Sequence, residues 1–136
     1  MLIVMGAEAS TETGFATAWS LCADATRQVE RERGIPKDLL TAISLAESGR
    51  WDNVNRETHA WPWTVTSGEN TWRVDTKTEA IKRVEALRGA GVTNIDVGCM
   101  QINLHFHPDA FASLEQAFDP IRNARYAGSF LSDLYQ

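Results

Sequence analysis

Apolar residues recur at three- and four-residue spacing through Phe15, Trp19, Cys22, Ala25 and Val29, the period of one helical face. The charged turn Glu30–Arg33 and then Gly34 predict a helix closed by a glycine C-cap. Ile35-Pro36 opens a second helix, with Pro36 in its first turn and Asp38 complementing the dipole. Its stripe is Leu39, Leu40, Ile43 and Ala46, and Gly49 stops it. The pattern then changes. Trp61–Thr66, Ser67–Asn70 and Thr71–Val74 predict strand, turn and strand. Thr76-Lys77-Thr78-Glu79 is a capping box before a helix through Ile81, Val84 and Leu87, ended by Gly89 and Gly91. Ile95–Gly98 is a short extended piece leading into Cys99–Asn103. After His107-Pro108 a short helix holds Phe111, Leu114 and Phe118, and a last one from Pro120 carries Ile121, Ala124, Ala127, Phe130, Leu131 and Leu134. These elements predict a mostly helical α+β domain with a small β-hairpin insertion.

A chain of 136 residues fits one domain, taken as 10–136, with no linker or repeat to divide it. Its net charge is −5, and no basic run offers a face to nucleic acid, so no nucleic-acid partner is expected. No apolar stretch approaches the ~20 residues of a membrane span. Residues 1–9 are apolar and reach an Ala-x-Ala pattern, which reads either as the tail of an export signal or as a start-site remnant. Cys22 and Cys99 have no metal-ligand spacing. In an exported chain they predict a disulfide; two buried free thiols are the alternative.

Glu47 falls in the last turn of the second helix, close to its apolar side. The negative end of the helix dipole, with desolvation by Leu45, Ala46 and Trp51, predicts a raised pKa and a usable general acid. The segments Ile35-Pro36, Leu39-Leu40, Ala42-Ile43 and Glu47-Ser48-Gly49, followed by Gly98-Cys99-Met100-Gln101-Ile102-Asn103, resemble the lytic transglycosylase (SLT) family. Asp119-Pro120, Asn123, Tyr126-Ala127 and Phe130-Leu131 resemble that family's next helix. The likeness spans Gly34–Tyr135.

The resemblance implies a lysozyme-like fold, related to goose-type lysozyme, and a periplasmic enzyme acting on peptidoglycan glycan strands. It implies cleavage of the β-1,4 bond between N-acetylmuramic acid and N-acetylglucosamine to leave a 1,6-anhydromuramoyl end, with no metal or cofactor. By position Glu47 is the acid/base, while Ser48, Met100, Gln101 and Asn103 shape the site or touch sugar. Trp51, Trp61, Trp63 and Trp72 are candidates to stack on sugar or to form a hairpin core, and His105, His107 and Asp109 make a poor metal set. The chain departs from the family in the span of about fifty residues between the motifs. Cys99 also stands where an apolar residue is usual, and no Ala-Tyr-Asn-like third motif precedes Gln136, so the family's C-terminal end is expected to be missing. By analogy the chain resembles enzymes serving a flagellar or secretion-system protein. A hydrolytic muramidase using Asp52, Asp75 or Asp96, and a non-catalytic peptidoglycan-binding assembly module, remain alternatives.

Overall fold

The computed structural model describes residues 9–134, with side chains from residue 18 onward. The export segment expected over residues 1–9 (save the backbone of Ala9), the Phe15 side chain and Tyr135 lie outside the described residues. About half of the chain is helical and two small antiparallel sheets accompany the helices. The class is α+β, with more β-structure than one hairpin.

Helix α1 (Ala9–Arg33) buries Cys22, Ala25 and Val29 of the predicted stripe, with Ala18 beside them, while Trp19 is half-buried. Helix α2 spans Leu39–Ser48, so it begins three residues after Pro36. Asp38 sits at its N-cap with φ +67 and makes no side-chain cap. Glu30 of α1 supplies the cap instead. Its buried carboxylate accepts from the amides of Asp38 at 3.1 Å and Thr41 at 3.0 Å, and from the Thr41 hydroxyl at 3.2 Å. A carboxylate at that end meets two otherwise orphan N–H groups and the positive pole of the helix.

Strands β1 (Gly49–Asp52) and β2 (Glu57–Ala60) form a hairpin that the alternation pattern does not announce, because each buries only one residue. The 61–74 hairpin is real but shorter than predicted: β3 is Thr64–Ser67 and β4 is Asn70–Arg73. Thr76 caps α3 (Lys77–Gly89), accepting from the Glu79 amide at 3.1 Å. Strands β5 (Asp96–Val97) and β6 (Ile102–Asn103) complete a four-stranded sheet of order β4-β3-β5-β6. Helix α4 is a single turn, Leu114–Ala117, capped by Ser113, so Phe111 lies in the loop before it. Helix α5 (Pro120–Leu134) starts where Pro120 predicts. The Asp119 carboxylate accepts from the amides of Ile121 and Arg122 there.

Two buried clusters result. One joins α1, α2 and α5 around Cys22, Val29, Leu40, Cys99, Ile102 and Ala124. The other packs the four-stranded sheet on α3 and α4 through Val65, Val84, Ile95, Val97 and Phe118. The turn between β5 and β6 lies on the seam, with Val97 in one cluster and Cys99 in the other. Outside the clusters, Arg125 of α5 forks onto Glu32 of α1 at 2.9 and 3.2 Å.

Two outcomes follow. Glu30→Ala removes three charge-assisted bonds and exposes the start of α2, so urea denaturation should show a loss of about 2 kcal/mol. The bonds from Arg125, chiefly, and from Gln28 pull the Glu32 carboxyl from 4.5 to about 2. A depressed folded-state value stabilises fully above the unfolded one, so this contribution is present above about pH 4.5 and is lost as pH falls toward 2. Melting temperatures taken from pH 5 to pH 2.5 should therefore fall less in Glu32→Gln than in the wild type.

Candidate active site

Residues Gly98–Asn103, the second motif, form the turn that joins β5 to β6. Gly98 at φ +81 and Gln101 at φ +51 both hold left-handed backbone. Gly98 has a second reason to be glycine, because an added Cβ would collide with the Asn123 amide, 2.9 Å from its Cγ. Left-handed backbone costs a residue such as glutamine about 1–2 kcal/mol. Gln101 offsets this through its Nε2, which donates to the carbonyls of Thr64 at 3.0 Å and Gly98 at 2.9 Å.

Four elements grip this turn. The disulfide Cys22–Cys99, with Cα atoms 5.5 Å apart, ties it to α1 and decides between the pairing and two free thiols. The Cys99 carbonyl accepts from Ser44 and Ser48 of α2, both at 2.8 Å. Asn123 of α5 is fully buried; it accepts from the Met100 amide at 2.8 Å and donates to the carbonyls of Val97 at 2.9 Å and Ala117 at 3.0 Å. From β3, the Thr64 carbonyl receives the Gly98 amide at 3.0 Å. On the chain-entropy model, closing a loop of 77 residues is worth about 4.5 kcal/mol.

Glu47 lies between the two buried serines of α2 yet is exposed. Trp61 and Thr64 cover the Ser48 side of the helix end, with the Trp61 amide 3.2 Å and the Thr64 hydroxyl 3.3 Å from Ser48 oxygens. The Glu47 side stays open. The shielding expected from Leu45, Ala46 and Trp51 is therefore absent: Leu45 is 42% and Trp51 55% exposed, and Ala46 is exposed too. Leu40, Ile43 and Glu47 follow one another on a single helical stripe. The first two line an open groove of about 290 Å³, together with Met100, Gln101 and Asn103 of the turn and with residues of α5, while Glu47, a turn further along α2, is not part of its lining. Gly49 leaves the helix directly into β1 at φ −53. There a Cβ would lie 2.6 Å from the Leu45 carbonyl oxygen and 2.9 Å from Thr58 Cγ2.

The three aspartates that a hydrolytic reading would use are each engaged. Asp52 is buried and builds the β1–β2 turn, accepting from the amides of Val54 and Asn55 and from the Asn55 side chain. The Asn55 side chain, more than the amides, holds its carboxyl below the usual range. Asp75 pairs with Arg50 at 2.9 Å, and Asp96 accepts from Asn103 at 2.9 Å. Among the described residues, no hydrogen bond or ion pair holds Glu47.

Several expected sugar contacts turn inward. Ser48 is fully buried, and its hydroxyl donates to protein carbonyls. Asn103 donates to Asn94 and Asp96 and accepts from two amides of its own loop. Met100 is buried at the groove wall. Trp61 is also fully buried; its Nε1 donates to the Val74 carbonyl at 2.7 Å and its ring packs on Trp19 and beneath the Arg50 guanidinium. A ring so enclosed has no face for a sugar. Trp63 and Trp72 are half-buried against the second cluster, with Arg83 over Trp72. Of the four candidate tryptophans, Trp51 alone is exposed. The His107 imidazole is engaged with α5, its Nδ1 lying 2.6 Å from the Tyr126 hydroxyl.

No protein-family model, curated protein or solved structure matches the chain, so only this geometry and the two motifs bear on what it does.

Asn123→Ala would leave the Met100 amide and two carbonyls buried without partners. Equilibrium urea unfolding should register a loss of about 3 kcal/mol; a loss under about 1 kcal/mol would show that the turn stands without this clamp.

Proposed function

We propose that the chain is a periplasmic lytic transglycosylase of lysozyme-like fold that cleaves peptidoglycan with Glu47 as its single acid/base. The observation that carries this reading is the pairing of one open, unshared carboxylate with the 98–103 turn, which the serines flanking Glu47 bind directly. The two motifs that resemble the family thus meet in space, across 51 residues of sequence. The disulfide is compatible with an oxidising compartment, and none of the described helices is long and apolar enough to cross a membrane.

In this mechanism a glycan strand lies along the groove and over the end of α2. Leu45, Ala46 and Trp51 leave Glu47 open, so exclusion of water from the carboxyl falls to the bound strand. The acid protonates the glycosidic oxygen as the bond to the muramoyl anomeric carbon breaks, assisted by the sugar's own acetamido group. The resulting carboxylate takes the proton of the muramoyl 6-hydroxyl, whose oxygen closes the 1,6-anhydro ring. One carboxylate serves both steps, in keeping with the engagement of Asp52, Asp75 and Asp96 elsewhere. Service to a flagellar or secretion-system protein rests on analogy alone.

Mass spectrometry of purified peptidoglycan digested with the protein should show anhydro ends. Glu47→Gln should slow release by 10²–10⁴-fold, the usual worth of general acid–base catalysis, with an unchanged melting temperature. Hydrated reducing ends, lost on an Asp→Asn change, would make the protein a hydrolase. Binding to peptidoglycan without release of soluble fragments would make it a binding module.

A further inference from the structure

The groove beside α2 is mostly apolar, and its polar lining is Gln101, Asn103, His107 and Tyr126. Two of these have little left for a ligand. The Asn103 amide is taken up by Asn94, Asp96 and the amides of His105 and Phe106. The Gln101 Nε2 serves two carbonyls, and its Oε1, though it has no hydrogen-bond partner, is buried out of contact with solvent. His107 and Tyr126 remain, both half-buried, with imidazole Nδ1 2.6 Å from the phenol oxygen. The pair is held on several sides. The His107 amide donates to the Asn103 carbonyl at 3.0 Å, the imidazole meets Phe130 edge-on at 5.1 Å, and the Tyr126 ring lies 5.7 Å from that of Phe111. An apolar groove with a few convergent polar groups is the usual form of a small-ligand site.

Resting on the glycan reading above, we propose that Tyr126 is a sugar-binding residue of this groove and that His107 is its positioning residue, setting the direction of the tyrosine hydroxyl. A bond of this length holds one proton between the two atoms. With a neutral imidazole protonated at Nε2, Tyr126 donates to Nδ1 and offers the groove only lone pairs. With a charged imidazole, Nδ1–H donates to the tyrosine oxygen, and the tyrosine hydrogen turns to the groove. There the acetamido carbonyl of an N-acetylated sugar can accept it. The titratable and charged groups facing His107 are Tyr126 from α5 and Arg88 from α3, which shares a neighbouring cavity of about 220 Å³ with it. Asp109 lies two residues further along its own loop, while Leu40 and Ile43 bring no charge from α2. The neutral form is taken as the Nε2–H tautomer, and from that form protonation of the ring turns Tyr126 into a donor to the ligand.

The test is calorimetric titration with chitotetraose, the β-1,4-linked tetramer of N-acetylglucosamine, from pH 8 to pH 5. The Glu47→Gln chain is used, so that no strand is cleaved and that carboxyl does not titrate. Binding should tighten about tenfold toward pH 5, the worth of one hydrogen bond. Adding Tyr126→Phe, which keeps the packed ring, should weaken binding about tenfold at pH 5 and flatten the profile. Adding His107→Gln, whose amide still donates but does not titrate, should keep the tight binding and also flatten the profile. Binding indifferent to Tyr126→Phe overturns the subsite and leaves the role of Glu47 intact. A flat profile before either change, or one that persists in His107→Gln, overturns the positioning role. Failure to bind the tetramer overturns the subsite alone if the wild type still cleaves peptidoglycan, and the glycan reading with it if it does not.

Discussion

One carbonyl group, that of Cys99, organises the region around Glu47. It points into α2 and accepts two serine hydroxyls a helical turn apart, while the residue's own sulfur is bonded to α1. A buried turn cannot use water to satisfy its polar groups. Here helices do it: serines from α2 on one side, Asn123 from α5 on the other. Each of these side chains fixes the turn against its own helix, so α1, α2 and α5 are all held at a single tight bend. The packing of the two clusters on either side of that bend follows from it.

The two ends of α2 are treated oppositely. At its start a buried carboxylate from α1 meets the free amides, a favourable arrangement of charge and dipole. At its finish Glu47 stands against the negative pole, uncovered and without a cation of its own among the described residues. The helix is thus anchored by a glutamate where a glutamate belongs and bears another where it is electrostatically disfavoured. Rules of local consistency break most often at functional or strained sites, and the proposed acid/base stands at such a break.

Periodicity made α1, α3 and α5 legible, because each packs apolar residues at helical spacing into a cluster, although Phe130 and Leu134 of the predicted α5 stripe are exposed. The start of α2 was not, since its cap comes from Glu30 and no local pattern in Pro36–Asp38 records a partner on another helix. The β1–β2 hairpin escaped because four-residue strands with one buried position each carry almost no alternation, although Asp52 and Asn55 are turn formers. The disulfide was legible from the count of cysteines and the inferred compartment. Site residues were harder. Motif position brought the end of α2 and the 98–103 turn into contact, Ser48 donating to the Cys99 carbonyl, but the direction of a hydroxyl or an amide is decided by which carbonyls lie nearby. Ser48 and Asn103 face the protein for that reason, as Trp61 does for want of space. His107 and Tyr126, 19 residues apart, share no local signal at all.

The Cys22–Cys99 bond also divides the chain topologically. It closes a covalent ring that contains α2, both hairpins and α3, and leaves α4 and α5 outside. A protease cut in any loop between residues 22 and 99 would open the ring without separating the pieces, which would still migrate as one molecule until reduced. A cut in the 104–113 loop has no such protection. It would release α5, with Asn123, Tyr126 and Arg125, held only by contacts that dilution or denaturant can undo. The covalent architecture thus secures the carboxylate and its turn, and entrusts the far wall of the groove to packing alone.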